Sequence, residues 1–507
     1  MSDGCVTVAH CVEGLPMGCF IWEVLLCAFL ASFLLGAINE SSPFTFGLVA
    51  TDWGVTERNV QLSSAALAFG TFFSVLVGGF MADRHGRASV LKTSILLTIS
   101  CSVILQMTRT LYQALFARLL LGLASGATLA VLMPLVAELL PSKKRGFYLT
   151  IWCCGQPAGA LFALMVSCAV SRIDWTTFIT FIMAPGLILY VLCKLELIPE
   201  SPRHLYLVGK RDEGYNTLLD MYEKEMLPFA WAPDSIAVTV APPRSSSSSE
   251  GSKSSLKSVI ASDVAVTAGL CVVMFFVCAA SQCIKIWMPL AIASSDAYAK
   301  DAALLEVDKA DLTNALLSFS RMPVPLGTAD HRLVMAVAQG YMVELLGVVV
   351  CAFISTVLSR KRLVQVALFS AALFTFLTAV AQQRGFLILA ATLFGMHLVS
   401  QAAAINFILV FTCEKFPTSC RAWTVGLVLF FGEFGRVLMP AFGALLLDSS
   451  EVKAVVFFTG MYLTAWLISF QLPLTSNRER PLHDVEDSGS KTPLARSRKR
   501  SVTYQTV

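Results

Sequence analysis

Several charged side chains sit at the borders of long apolar runs, and their spacing repeats. Glu138-x-x-Pro141-x-x-x-Arg145 returns as Glu414-x-x-Pro417-x-x-x-Arg421, each residue displaced by 276 positions (414−138, 417−141, 421−145). Upstream, Gly78-Gly79-Phe80-Met81-Ala82-Asp83-Arg84-His85-Gly86-Arg87 places four charged or titratable groups in a short turn between two apolar runs. Carboxylates and guanidiniums in such turns suit ion pairs that form and break. Asp83 is also placed to accept hydrogen bonds from a helix N-terminus, where the backbone is partially positive. The expected pairs are Arg87 with Glu138 and Glu414 with Arg421, with Arg145 and Arg203 as further members. Each is expected to be partly hydrated and worth about 1 kcal/mol or less.

A second group lies inside or at the ends of the apolar runs: Asn39, Glu40, Arg118, Gln156, Lys285, Glu344, His397, Gln401, Asn406, Glu433 and Arg436, with Trp287 two residues before Pro289. Ionisable groups at membrane depth are costly, so they mark the path of a polar solute or a proton. Glu433 and Arg436, three apart on a helix, share a face and could instead neutralise each other. Histidine titrates near neutrality, which keeps a proton role open for His397. Gly122 and Gly126 are read as a close helix–helix packing face, as are Gly155 and Gly159.

The elements that carry these residues follow from composition. The chain has 507 residues, 56% hydrophobic and 14% charged, with a mean hydropathy of +0.70. A soluble domain carries about 25% charged residues, so this is a membrane protein. Apolar runs long enough to cross a bilayer fall near 17–39, 60–82, 88–108, 111–140, 146–170 and 175–197, then near 262–292, 334–358, 363–382, 386–412, 421–447 and 452–474. That gives an all-α membrane protein of twelve transmembrane helices in two six-helix, pseudo-symmetric halves. Residues 1–16 lack Lys and Arg and form no cleavable signal, so the first span is expected to stay as an anchor.

Lys and Arg are concentrated in alternate turns: Arg84, Arg87 and Lys92; Lys143, Lys144 and Arg145; Arg360, Lys361 and Arg362; Lys415 and Arg421. The opposite turns carry one each, namely Arg58, Arg109, Arg172, Arg384 and Lys453. The positive-inside rule then places both termini and the central segment in the cytosol, with 293–333 as an extracytosolic loop. The central segment 198–261 is read as helical after Ser201, an N-cap followed by Pro202, and as disordered in its serine-rich part. Residues 475–507 are read as a cytosolic basic tail.

The fifteen cysteines sit mostly within apolar runs as small hydrophobes. No CxxC pair has metal-ligand partners, and no GxSxG or GxGxxG stands in a strand–turn–helix setting. Hence the sequence predicts no enzyme, no metal, no cofactor and no nucleic-acid partner. The partners expected are a lipid bilayer, a small solute and, as an option, protons, with the monomer as the working unit.

Gly79-x-x-x-Asp83-Arg84-x-Gly86-Arg87 resembles the signature of the major facilitator superfamily between its second and third spans. Arg118-x-x-x-Gly122-x-x-x-Gly126 resembles its fourth-span motif. Pro199-Glu200-Ser201-Pro202-Arg203 and Glu414 to Arg421 resemble the sugar-porter, organic-ion-transporter and synaptic-vesicle-glycoprotein-like branches. This resemblance implies a solute carrier working by alternating access. It also implies a cytosolic gate of Gly79, Asp83, Arg84, Gly86, Arg87, Glu138, Arg145, Glu200, Arg203, Glu414 and Arg421. By family geometry helices one, four, seven and ten line the cavity, which favours Lys285, His397 and Gln401. The second-half counterpart of the opening motif is shortened to Ser359-Arg360-Lys361-Arg362, so a lesser role is expected for Arg360 than for Asp83. The substrate expected is a small polar organic solute. Hexose, inorganic phosphate, or a non-transporting sensor on the same fold are the alternatives.

Overall fold

The twelve apolar runs become twelve helices, because a chain in lipid must satisfy its backbone hydrogen bonds within each span. In the N-terminal half these are α1 (Cys19–Trp53), α2 (Glu57–His85), α3 (Arg87–Gln106) and α4 (Leu111–Leu139). α5 runs Arg145–Ile151 and Gly155–Val170 with a tight 3-10 turn, Trp152–Cys154, between, and α6 is Trp175–Lys194. In the C-terminal half they are α7 (Val264–Ala293), α8 (His331–Ile354), α9 (Arg360–Gln383), α10 (Leu387–Lys415), α11 (Arg421–Ser449) and α12 (Glu451–Gln471). This computed structural model describes residues 8–15, 18–53, 57–142, 145–170, 175–225, 264–293, 331–449 and 451–472. The serine-rich segment, the loop at 294–330 and the basic tail lie outside the described residues, so the expectations placed on them do too.

Packing repeats between the halves. α1 lies on α5 and α6, α2 on α4, and α3 on α4 and α6; likewise α7 lies on α11 and α12, α8 on α10, and α9 on α10 and α12. Glycines set the close approaches. Gly122 and Gly126 press onto the α2 backbone at Leu67 and Thr71, and Gly155 and Gly159 onto α1 at Phe29 and Phe33, as the small-residue spacing predicts. The halves meet where α2 crosses α11, α5 meets α8, and α4 touches α10 and α11. Phe72 of α2 stacks on Phe430 of α11 with ring centroids 4.3 Å apart. Large apolar side chains such as Phe73, Val77, Leu97, Leu187 and Val191 stay exposed on the outside of the bundle, where lipid covers them.

Two departures from the sequence reading lie at the bundle's edge. Residues 1–16 are not simply a polar tail: Val8–Glu13 is a helix whose Val8 and Val12 are buried. The segment after α6 is two helices, Pro202–Val208 and Arg211–Lys224, separated at Gly209 in a left-handed conformation. The predicted cap is present, with Ser201 Oγ accepting from the His204 N–H and Pro202 at the first position. Among the described residues thirteen cysteines are free.

Candidate functional site: a buried latch and a charged midplane

The latch forms where α2 ends and α11 begins. The first-turn N–H groups of α11 have no partners within the helix. Asp83 supplies them: its Oδ1 accepts from the Ala422 N–H at 3.3 Å and its Oδ2 from the Trp423 N–H at 2.8 Å. Only a residue without a side chain lets the backbones come this close. A Cβ at Gly79 would strike the Ala422 carbonyl and lie 3.2 Å from the Trp423 Cα. Arg87 bridges the same corner, donating to Asp83 at 2.9 Å and to the Thr418 carbonyl at 2.5 Å, and pairing with Glu138 at 3.3 Å.

Here the expected second-half pair is corrected. Arg421 does not pair with Glu414; it crosses to the other half and meets Glu138 at 2.6 Å. Its remaining donors are fixed by the Cys413 carbonyl at 2.9 Å, the Phe416 carbonyl at 3.2 Å and Thr418 Oγ1 at 3.0 Å. Glu414 is taken instead by Arg360, at 3.3 Å. Arg360 therefore does in the second half what Arg87 does in the first: each opens its helix (α9, α3) and holds the glutamate that closes the next (α10, α4). The shortened motif keeps its guanidinium, and that guanidinium lies against Gly146 of α5 in the opposite half.

The energetics also differ from expectation. Arg87, Glu138 and Arg421 have fully buried side chains, not hydrated ones. Two carboxylates, Asp83 and Glu138, face two guanidiniums, so the cluster is neutral and each charge is compensated. In such a site, removing one partner costs several kcal/mol, because it strands the other. Arg84 is the exception among the expected gate residues. It is exposed and lies over the Phe80 ring at 4.4 Å, outside the latch.

The Pro199–Arg203 motif braces the latch from below. Gly86 has φ +99°, a conformation that favours glycine, and a side chain there would collide with Glu200. Glu200 uses that space to cap α3, accepting from the N–H groups of Arg87 (2.7 Å), Ala88 (3.1 Å) and Ser89 (3.3 Å). Glu200→Ala is expected to cost about 1–2 kcal/mol, seen as a lower Tm of the purified protein, and Glu200→Gln to recover part of it. Arg203 is buried in the helix that follows. Arg145 pairs with Glu13 at 3.2 Å and donates to the Leu140 carbonyl at 3.1 Å. Glu13 also accepts from the Ser142 N–H at 2.7 Å. It was missed because nothing in a single acidic residue ahead of the first span marks a partner 132 positions away.

His204, next to Arg203, is buried with no hydrogen-bond partner on Nδ1 among the described residues. Burial, and then the nearby Arg87 guanidinium, push its imidazole down to about 4; Lys210 acts in the same direction and Glu138 against it. The folded value lies below the ordinary 6.5, so the unfolded chain binds the extra proton. Its contribution to stability is thus complete above pH 6.5 and lost as pH falls towards 4. Tm measured between pH 7 and 4 is expected to fall further in the wild type than in His204→Gln. The difference corresponds to about 2 kcal/mol, less than the whole shift implies because solvent screens part of it.

The midplane residues divide. α1, α7, α8 and α11 bring one charged group together: Lys285 and Glu40 act on Glu344, and Glu40 and Glu433 act on Arg436. Glu433 and Arg436 form an ion pair at 2.8 Å, so that pair largely neutralises itself. Glu344 is 4% exposed and, among the described residues, makes no ion pair and no side-chain hydrogen bond. His397 sits in the C-terminal half with Nδ1 3.0 Å from Thr375 Oγ1 and its ring edge-on to Tyr462, while Nε2 has no partner among the described residues. Gln401 is buried, and among the described residues its Oε1 has no partner. Arg118 is buried too, rather than snorkelling. Gln156 and Asn39 are exposed and Glu40 half-buried. The side chain of Trp287 lies outside the described residues.

Two pseudo-symmetric six-helix halves, joined by a buried polar latch beside a charged midplane, define a multi-pass membrane protein. A family model described as Major Facilitator Superfamily matches residues 25–307. The chain belongs to that superfamily. It is similar to the 4-hydroxybenzoate transporter PcaK of Pseudomonas aeruginosa, 26% identical over 211 residues, 41% of this chain. That match spans 46% of the relative, so the chain covers about half the length of that transporter. The putative transporter SVOPL of Danio rerio is 22% identical over 498 residues, covering 95% of this chain and 91% of the relative. Among solved structures, the proton:xylose symporter XylE superposes with a TM-score of 0.71 at 16% identity, covering 92% of this chain and 99% of that one.

Proposed function

We propose that this chain is a secondary carrier of a small polar organic solute, working by alternating access with the latch facing the cytosol. One observation carries the reading. The contacts of Asp83, Arg87, Glu138 and Arg421 that tie the N-terminal half to the start of α11 gather at one end of the bundle, as a gate requires. The charge bias of the turns supports the cytosolic placement of that end, of both termini and of the central segment. Arg87, Arg145, Arg360 and Arg421 serve the latch as well, and the solvent-facing part of the bias is left to Arg84, Arg362 and their lysine neighbours. The multi-pass reading leaves open which membrane holds the protein.

The solute we favour is a small organic acid. Lys285 gives the midplane a cation beside Glu344, and the matched relatives include carriers named for 4-hydroxybenzoate, gallate and niacin. Glu344 is the carboxylate we assign to proton coupling, since Glu433 already holds Arg436. In proteoliposomes, saturable counterflow of 4-hydroxybenzoate or niacin is expected, with D-xylose and phosphate as comparison solutes. Acidifying the outer face is expected to speed uptake in the wild type, and Glu344→Gln to flatten that pH dependence while counterflow persists. Absence of counterflow with every solute would sink the carrier reading and leave the sensor. Unchanged pH dependence in Glu344→Gln would remove only the coupling role.

A further inference from the structure

Between the latch and the midplane the halves are joined a second time, by uncharged groups. Asn406 of α10 reaches across to α5, its Nδ2 donating to Thr150 Oγ1 at 3.0 Å and its Oδ1 accepting from the Cys153 thiol at 3.2 Å. The polarity is fixed by Thr150. Its hydroxyl donates to the Gly146 carbonyl at 2.7 Å, so towards Asn406 it acts as an acceptor. Both anchor points flank or belong to the 3-10 turn Trp152–Cys154, the one place where α5 departs from α-helical winding. A stretch of 3-10 within a long helix marks a hinge or local strain. Trp152 adds a sign of the same kind: its indole N–H is buried with no partner among the described residues.

The depth agrees from both sides. Thr150 and Cys153 lie five and eight residues beyond Arg145, and Asn406 eight before Glu414. At 1.5 Å per residue that puts the contact about 7–12 Å inward from the latch. The sequence suggested Asn406 as a hydrogen-bonding group on the solute path, but its amide is occupied by the opposite half.

We infer that Asn406, Thr150 and Cys153 form an inner gate, a neutral clamp that holds the α5 hinge against α10 while the charged latch is closed and lets go when the latch end opens. This rests on the carrier reading, and these are positioning residues that do not touch the solute. A charged latch alone would let water reach the midplane once hydrated. A second, neutral layer closes the path without adding another buried charge. Each bond between neutral groups contributes modestly, so the clamp can release within a transport cycle.

The native thiol of Cys153 reports the gate directly, without a transported solute. Purified full-length protein in proteoliposomes is treated with a small charged maleimide, and modification of Cys153 is followed by peptide mass spectrometry. Cys193, fully buried inside the N-terminal half, serves as the internal reference. Asn406→Ala and Thr150→Val are each expected to speed Cys153 labelling about tenfold with Cys193 unchanged. Thr150→Val leaves the Cys153–Asn406 bond in place, so a rise there reports opening rather than a bared thiol. Thr150→Ser is expected to restore the slow rate, and the Asn406→Ala, Thr150→Val pair to label no faster than Asn406→Ala alone. An unchanged Cys153 rate in Thr150→Val, a parallel rise at Cys193, or fully multiplicative effects in the pair would overturn the inner gate. None of these bears on whether counterflow occurs, so failure of the clamp and failure of the carrier reading are distinguishable.

Discussion

Replacing Arg421 with alanine unlatches the protein. Among the described residues, the substitution leaves Glu138 buried with Arg87 as its one ion-pair partner, 3.3 Å away, and frees the Cys413 and Phe416 carbonyls that Arg421 held. Breaking one side of a buried pair costs about 3–5 kcal/mol, enough to move a two-state equilibrium by about 10² or more. Hydrogen exchange of the peptide that opens α11 is therefore expected to speed by that order in Arg421→Ala. Arg421→Lys is expected to recover little, because a single ammonium cannot meet Glu138, Thr418 and two carbonyls in their fixed directions. Arg84→Ala is the comparison, since Arg84 is exposed and leans on Phe80. It should change exchange by less than twofold. Equal effects of Arg84→Ala and Arg421→Ala would show that these arginines only set orientation.

Gly79→Leu is expected to abolish transport while leaving each half folded. The glycine lies where the α2 backbone meets Ala422 and Trp423 of α11, an interface between halves. Any side chain there wedges the latch end apart, and the halves themselves lose nothing. The same substitution at Gly122 has a different consequence, because Gly122 presses on the α2 backbone at Leu67 inside one half. Overpacking there costs folding free energy, about 1–3 kcal/mol or more. The readout is paired: Gly79→Leu should run as a monodisperse protein with near wild-type Tm and no 4-hydroxybenzoate counterflow, whereas Gly122→Leu should lose Tm first. Transport by Gly79→Leu at the wild-type rate would mean that the latch end need not close.

The sequence carried the architecture because its signals are periodic or local. Twelve apolar runs are a matter of length, and the Ser201-Pro202 cap and the Gly122/Gly126 face are read within a turn or two. The latch was half legible. Asp83, Arg87 and Glu138 stand out as charges where lipid tolerates few, and Asp83 was placed correctly against the start of α11. Arg421 was assigned to Glu414 because seven residues separate them, yet its partner is 283 residues away. Spacing within one half cannot report a contact made by bringing two halves together. The same limit hid the partners of two residues the sequence had named: Glu200, which reaches back 113 residues to cap α3, and Asn406, which meets α5. Arg360 was undervalued for a different reason: the motif around it lacks Asp and Gly, but the ion pair needs only the guanidinium. At the midplane, Glu433 and Arg436 were readable as a pair because helical spacing sets it. The surroundings of Glu344 depend on Glu40 of α1 and Lys285 of α7, brought to it from distant parts of the chain, which no local pattern states.

The most direct test of the account is the distance between the halves at the latch end. Ser89 and Arg362 stand in the first turns of α3 and α9 with exposed side chains, and Ser89 meets Glu200 through its backbone N–H, which a label leaves in place. Spin labels introduced there through a non-canonical amino acid leave the native cysteines intact. Pulsed dipolar spectroscopy of the wild type in lipid is predicted to give a short and a long distance, with Asp83→Asn shifting the population to the long one and Gly79→Leu removing the short one. One unchanging distance shared by the wild type and both variants would contradict a gate at this end.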